Sequence, residues 1–190
     1  MNKANWIKSC FLATLCILTL TLCNNDKVKE SKDAAEESNV QKFEDKNIEK
    51  DARFLVYATS DSYDQIKLAS VAITKTTNGA IKKMAEEIKD EHSAIITELN
   101  SMASNKSVTI ANTPSEEANT AAIDLSKSSL GSFNKDWLKK IEDLQKITIK
   151  IYEDASNKSV DANIKSWASV TLIKIRSHLE RIKKLSHNIK

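Results

Sequence analysis

Residues 81–99, IKKMAEEIKDEHSAIITEL, place Ile81, Met84, Ile88, Ile95 and Leu99 at successive steps of three, four, seven and four. Steps of three and four stack side chains on one face of an α-helix, because its turn closes every 3.6 residues. The step of seven leaves a hole in that apolar face, and Glu91 and His92 stand in it. The stretch therefore predicts a core helix from about Ala80 to Ala103 with an acid and an imidazole at its middle.

The same rhythm recurs on both sides. Upstream, from Asp51, it runs through Phe54, Ala58, Gln65, Leu68 or Ala69, and Ala72 until Thr76-Thr77-Asn78-Gly79. Downstream, Trp137, Ile141, Leu144, Thr148, Ile151 and Ala155 predict a helix over 133–157. Ile164, Trp167, Thr171, Ile175, His178, Ile182, Leu185 and Ile189 predict another that reaches almost to the end. Short joints make the first two and the last two antiparallel neighbours, and a link of roughly 30 residues between the pairs is long enough to cross the bundle. Within that link, Thr113-Pro114-Ser115-Glu116-Glu117 starts a short helix around 121–125, and Gly131 closes the segment. The predicted fold is all-α: a ferritin-like four-helix bundle over residues 50–190, with a long crossover containing a short helix between its second and third long helices.

Composition narrows the function. Two glycines (Gly79, Gly131) and one proline (Pro114) are too few for a sheet of short strands or a glycine-rich phosphate loop. The first 22 residues carry Lys3 and Lys8 ahead of an apolar run, the pattern of a secretory signal. That run is shorter than the roughly 20 residues a membrane span needs. Without the leader the 29 Lys and Arg residues fall to 27, against 26 Asp and Glu, which is no nucleic-acid footprint. Leu20-Thr21-Leu22-Cys23 resembles a bacterial lipobox, with Leu22 where a smaller residue is usual. The implied partner is the membrane, through a lipidated Cys23, and the implied address is the bacterial cell envelope, at the periplasmic face or the outer membrane. Cys10 and Cys16 leave with the leader, so no internal disulfide forms. Residues 23–49 are charged, poor in large apolar groups and aperiodic, which predicts a flexible tether.

Four positions in the helical stripes carry candidate chemistry: Gln65, the Glu91-His92 pair, Asp143 beside Leu144, and His178. Imidazoles and carboxylates brought together from facing helices are the donor set of a buried transition-metal site. A single histidine in an apolar stripe is more often a hydrogen-bonded core residue or an edge residue reaching solvent, and the adjacent carboxylates can point outward. No Glu-x-x-His occurs, since Lys89 stands three before His92 and Ile175 three before His178, so the usual di-iron carboxylate signature is absent. Ser, His and Asp occur without the strand-turn-helix setting of a hydrolase nucleophile, and no small-molecule substrate is indicated.

Residues 51–186 resemble the DUF4142 group of ferritin-like bacterial envelope proteins. The resemblance rests on DARFL (51–55), ASVA (69–72), MAEEIKDEHS (84–93), FNKDWLKKIED (133–143) and HLERI (178–182). It implies a glutamate on the first helix, an acid-histidine pair on each of the second and third, and a histidine on the fourth. Here Gln65 takes the glutamate position, Glu91-His92 keeps the first pair, Asp143-Leu144 lacks the second histidine, and His178 remains. The resulting expectation is a non-enzymatic, stress-associated binding module with a decayed metal site, no resident cofactor, and helix faces available to a protein partner. One rival is a metal-binding or oxidant-handling protein using His92, His178 and a carboxylate, Glu91 or Asp143. A second rival is a structural protein whose basic last helix, with Lys174, Arg176, Arg181, Lys183, Lys184 and Lys190, meets lipid or cell-wall polymer.

Overall fold

The computed structural model describes residues 30–189. It is all-helical there, with α1 (Ser31–Lys42), α2 (Lys46–Lys75), α3 (Gly79–Asn105), α4 (Glu116–Lys127), α5 (Leu130–Lys158) and α6 (Ala162–Asn188). The leader and Cys23 lie outside the described residues. Most of these helices start on a polar side chain that accepts the first free backbone N–H groups: Asp45, Asn78, Ser115, Ser129 and Asp161. Such a cap is worth about 1 kcal/mol. The breaks expected at glycine are placed differently. Gly79 opens α3 and Gly131 lies in the first turn of α5, neither with positive φ, so it is Asn78 and Ser129 that set those boundaries.

Four long helices pack in a ring: α2 on α3, α3 on α6, α6 on α5 and α5 on α2. Cross-helix pairs give the directions. Asp61 meets Thr148 while Leu68 meets Trp137, so α2 and α5 are antiparallel. Arg181 meets Glu87 while Trp167 meets Glu98, so α3 and α6 are antiparallel too. Joints of three residues each make α2–α3 and α5–α6 antiparallel as well, which leaves α3 and α5 running the same way. The connection between them, residues 106–129, must travel the length of the molecule. It does so along α2, fixed by Ser115 N and Oγ donating to Asp64 (2.7 and 2.9 Å) and by Lys75 donating to the Ser126 carbonyl.

The tether expectation is corrected over residues 31–49. Ser31–Lys42 is a helix, and α2 begins at Lys46 rather than Asp51. No apolar stripe holds α1; polar side chains on its neighbours' backbone do. Asn39 donates to the Thr109 carbonyl (2.6 Å) and accepts from Thr109 N–H (2.9 Å), and Lys42 donates to the Ser107 carbonyl. Glu36 faces Arg53 (3.0 Å) and accepts from Tyr57. Composition registers the charge of this segment but not these partners.

The core has two apolar layers. One gathers Leu68, Met84, Ile88, Trp137, Ile141 and Ile182; the other gathers Phe54, Leu99, Tyr152, Ile164 and Ile175. Between them, at mid-height on all four long helices, lies a belt of buried polar side chains.

Candidate functional site

The belt divides between two interfaces. At α2–α5, Gln65 is fully buried and donates through Nε2 to Thr148 Oγ1 (3.0 Å), while its Oε1 accepts from Gln145 Nε2 (3.3 Å). Thr148 Oγ1 also lies 2.8 and 3.0 Å from the Asp61 carboxyl oxygens and 2.9 Å from the Leu144 carbonyl. A hydroxyl has one proton, so the Leu144 carbonyl and an ionised Asp61 cannot both receive it. The arrangement balances when Asp61 is protonated and donates to Thr148, which donates to Leu144. Burial works in the same direction and pushes the Asp61 carboxyl up to about 8, with nearby Asp64 adding to the rise. Asp64 itself is raised by burial.

At α3–α6 the fit is looser. Ser62 gives its proton to the Ala58 carbonyl (2.7 Å), so the 3.2 Å contact with His92 Nδ1 is a donation from the imidazole. His92 Nε2 is then a bare acceptor, buried and without a partner. Burial first, and the nearby His178 second, push His92 down to about 3, which keeps it neutral. His178 Nε2 stands 3.2 Å from Glu91 Oε2, out of line for a hydrogen bond, and His178 Nδ1 has no partner. The Tyr152 hydroxyl is likewise buried and unpartnered, held protonated by burial and by Asp61.

The structure therefore brings His178 onto Glu91 with His92 near enough to feel its charge, while Gln65 engages Thr148 and Gln145. Asp143 does not join them: it is exposed on α5 and faces Lys146 (3.2 Å). Among the described residues no three His, Cys, Asp or Glu side chains are grouped so as to hold a metal ion. The α2–α5 side holds the Asp61 carboxyl, a threonine and two amides, and the amide of Gln65 is already committed to Thr148 and Gln145.

A chain-wide comparison adds one decisive match. The family model described as "Domain of unknown function (DUF4142)" covers residues 34–185. The chain belongs to the DUF4142 family. The match begins inside α1, so in this DUF4142 chain the packed N-terminal helix falls within the family's domain and is not a tether to it. No curated protein and no solved structure matches it.

Sequence reading missed Asp61, Ser62, Gln145 and Tyr152. The inward stripe of α5 is turned so that Gln145 and Tyr152 are fully buried while Leu144 and Ile151 are only half-buried. On α2 the polar residues are enclosed because α1, α3, α4 and α5 all pack against it. The available signal was the helical spacing of polar side chains: Asp61 with Gln65, and Gln145 with Thr148 and Tyr152.

Proposed function

We propose that this DUF4142 chain is a ferritin-like four-helix bundle held on the bacterial cell envelope by a lipidated Cys23, and that it acts as a non-enzymatic, stress-associated binding module. Parallel α3 and α5 joined by a lengthwise connection support the ferritin-like reading. The observation that carries the binding-module reading is Gln65. Where a metal bundle would present a carboxylate, this chain has an amide whose two ends are engaged by Thr148 and Gln145. No described helix is long and apolar enough to cross a membrane.

Metabolic labelling with a tagged fatty acid tests the anchor. The wild-type chain takes up label and Cys23→Ala does not; label in both variants, or in neither, defeats it. The metal-binding or oxidant-handling alternative draws on the unpartnered nitrogens of His92 and His178. Micromolar binding of Zn²⁺, Fe²⁺ or Cu²⁺, lost in His92→Ala and His178→Ala, would establish it in place of the binding module. The lipid-surface alternative is weakened because Arg176, Arg181 and Lys183 of α6 already face Glu153, Glu87 and Glu180. Paired surface charges have little left for an anionic surface. Exposed Val170 and Ile173 leave part of that helix open to a protein partner.

A further inference from the structure

The two ends of the bundle carry different charge. At one end α2, α4 and α6 finish and α3 and α5 begin. Within two turns of it Lys75, Lys82, Lys83, Lys127, Lys135 and Lys184 have no acidic partner among the described residues, against three such acids, Glu86, Asp124 and Asp136. Only Lys184 belongs to α6, so these are not the cations paired above. At the opposite end Lys42, Lys50 and Lys165 stand against Glu44, Asp45, Asp51 and Glu98, the other cations there being engaged by Glu49, Asp154 and Asp161. Both ends show apolar side chains, Ile48 and Val160 at the second and Leu130, 70% exposed, at the first, so charge is what separates them. Lys135 and Lys139, one turn apart on α5, border a cleft of about 310 Å³ against Ser186 and Ile189. Its one acid, Glu142, is engaged by Lys146, which leaves both lysines to face an anion.

We infer that this end docks on an anionic phospholipid surface, Leu130 entering the acyl boundary and a lipid phosphate lying between Lys135 and Lys139. Unpaired lysines attract an anionic leaflet, and they act together within a Debye length of it. The depth agrees. Lys135 follows Leu130 by five residues, about 7–8 Å along the helix, within the roughly 5–10 Å that interfacial side chains sink past the headgroups. The anchor agrees as well. Glu30 lines a cleft with Asp61 and Asp64, eleven to fourteen residues short of the α2 end at Lys75, about 17–21 Å. Cys23 stands seven positions before Glu30, a reach of at most about 23–25 Å. That suffices for this end and is at its limit for the other, about 22–27 Å away at Lys46. End-on docking leaves Val170 and Ile173 of α6 clear of the membrane for a partner. The inference names the membrane-facing surface of the anchored module proposed above and rests on that reading.

The test is hydrogen exchange, read by mass spectrometry, on the full-length chain as isolated from producing cells. Vesicles are phosphatidylcholine alone or with about a third phosphatidylglycerol. The first amides of α3 and α5 have no helical carbonyl to bond, so contact with lipid registers there. On anionic vesicles residues 79–81 and 130–132 should exchange at least about three-fold more slowly than on neutral ones, while residues 159–164 should not change. About 0.5 M salt should abolish the difference, and so should Lys82→Glu/Lys83→Glu/Lys135→Glu/Lys139→Glu. Equal exchange on the two vesicles, as much protection at residues 159–164, or protection that survives the salt overturns the inference. The wild-type comparison decides it even where the variant folds poorly. Fatty-acid labelling of Cys23 is a separate readout, so the anchor can stand while end-on docking fails, and docking on added vesicles is read whether or not Cys23 takes label.

Discussion

The two halves of the polar belt solve the same problem with unequal success. At α2–α5, Gln65, Thr148, Gln145 and Asp61 interlock, and with Asp61 protonated the one buried atom of the four left without a partner is Gln145 Oε1. At α3–α6, His92 Nε2, His178 Nδ1 and Glu91 Oε2 are buried without hydrogen-bond partners. An unmade buried hydrogen bond costs about 1–3 kcal/mol, whereas a made one contributes only about 1 kcal/mol net. The first half thus specifies how the helices meet, and the second is tolerated at some cost. The lesson is that polarity in a core is informative only once its partners are counted.

The sharpest way to break the contrast is to remove its best-connected member. Gln65→Ala deprives Thr148 and Gln145 together and leaves a cavity, and should lower unfolding free energy by about 3 kcal/mol in a denaturant titration. Thr148→Val, which strips the shared hydroxyl but keeps the shape, should cost about 2 kcal/mol in the same measurement. A loss well below 1 kcal/mol in either variant would mean that the interlocked half adds no more than the loose one.

The pH profile separates the halves without mutation. Asp61 holds its proton in the folded chain up to about 8, against an ordinary carboxyl value of 3.8. Between those values the unfolded chain has released a proton that the folded chain keeps, so stability falls as pH rises. His92 is the reverse: lowered from 6.5 to about 3, it refuses a proton that the unfolded chain accepts, so its contribution is lost as pH drops below 6.5. From 3.8 to 6.5 the two slopes oppose and cancel. Above 6.5 Asp61 acts alone, and stability should fall by about 1.4 kcal/mol per pH unit until about pH 8. Asp61→Asn, whose amide can donate to Thr148 as the acid does, should flatten that limb. The smallest effect is expected on the loose side. His92→Leu should change stability at pH 7.5 by no more than about 1 kcal/mol, since the imidazole contributes one weak hydrogen bond, and should remove the loss on acidification.

The long helices were legible because the 3.6-residue period of Ile81, Met84, Ile88, Ile95 and Leu99 is what a buried face imposes. His92 and His178 were legible as interruptions in such faces, and both are buried. Helix α1 was not, because it is fixed by Asn39 clasping the backbone of Thr109, a contact seventy positions away that no local pattern encodes. Asp61 was not, because an aspartate reads as solvent-facing until the crossover and α1 are known to lie over α2. The acid that matters most to the pH profile is thus the one the pattern hid. Asp143, which the pattern favoured, points to Lys146 and solvent.

On this reading the belt is a set of side chains, some interlocked and some unpartnered, that holds no ion. Metal analysis of the full-length chain, isolated under mild conditions from cells grown with iron, copper, manganese and zinc, tests it most directly. The account predicts less than about a tenth of an equivalent of any transition metal per chain, unchanged in His92→Ala, His178→Ala and Gln65→Glu. One equivalent of a single metal in the wild-type chain, lost with either histidine, would contradict it.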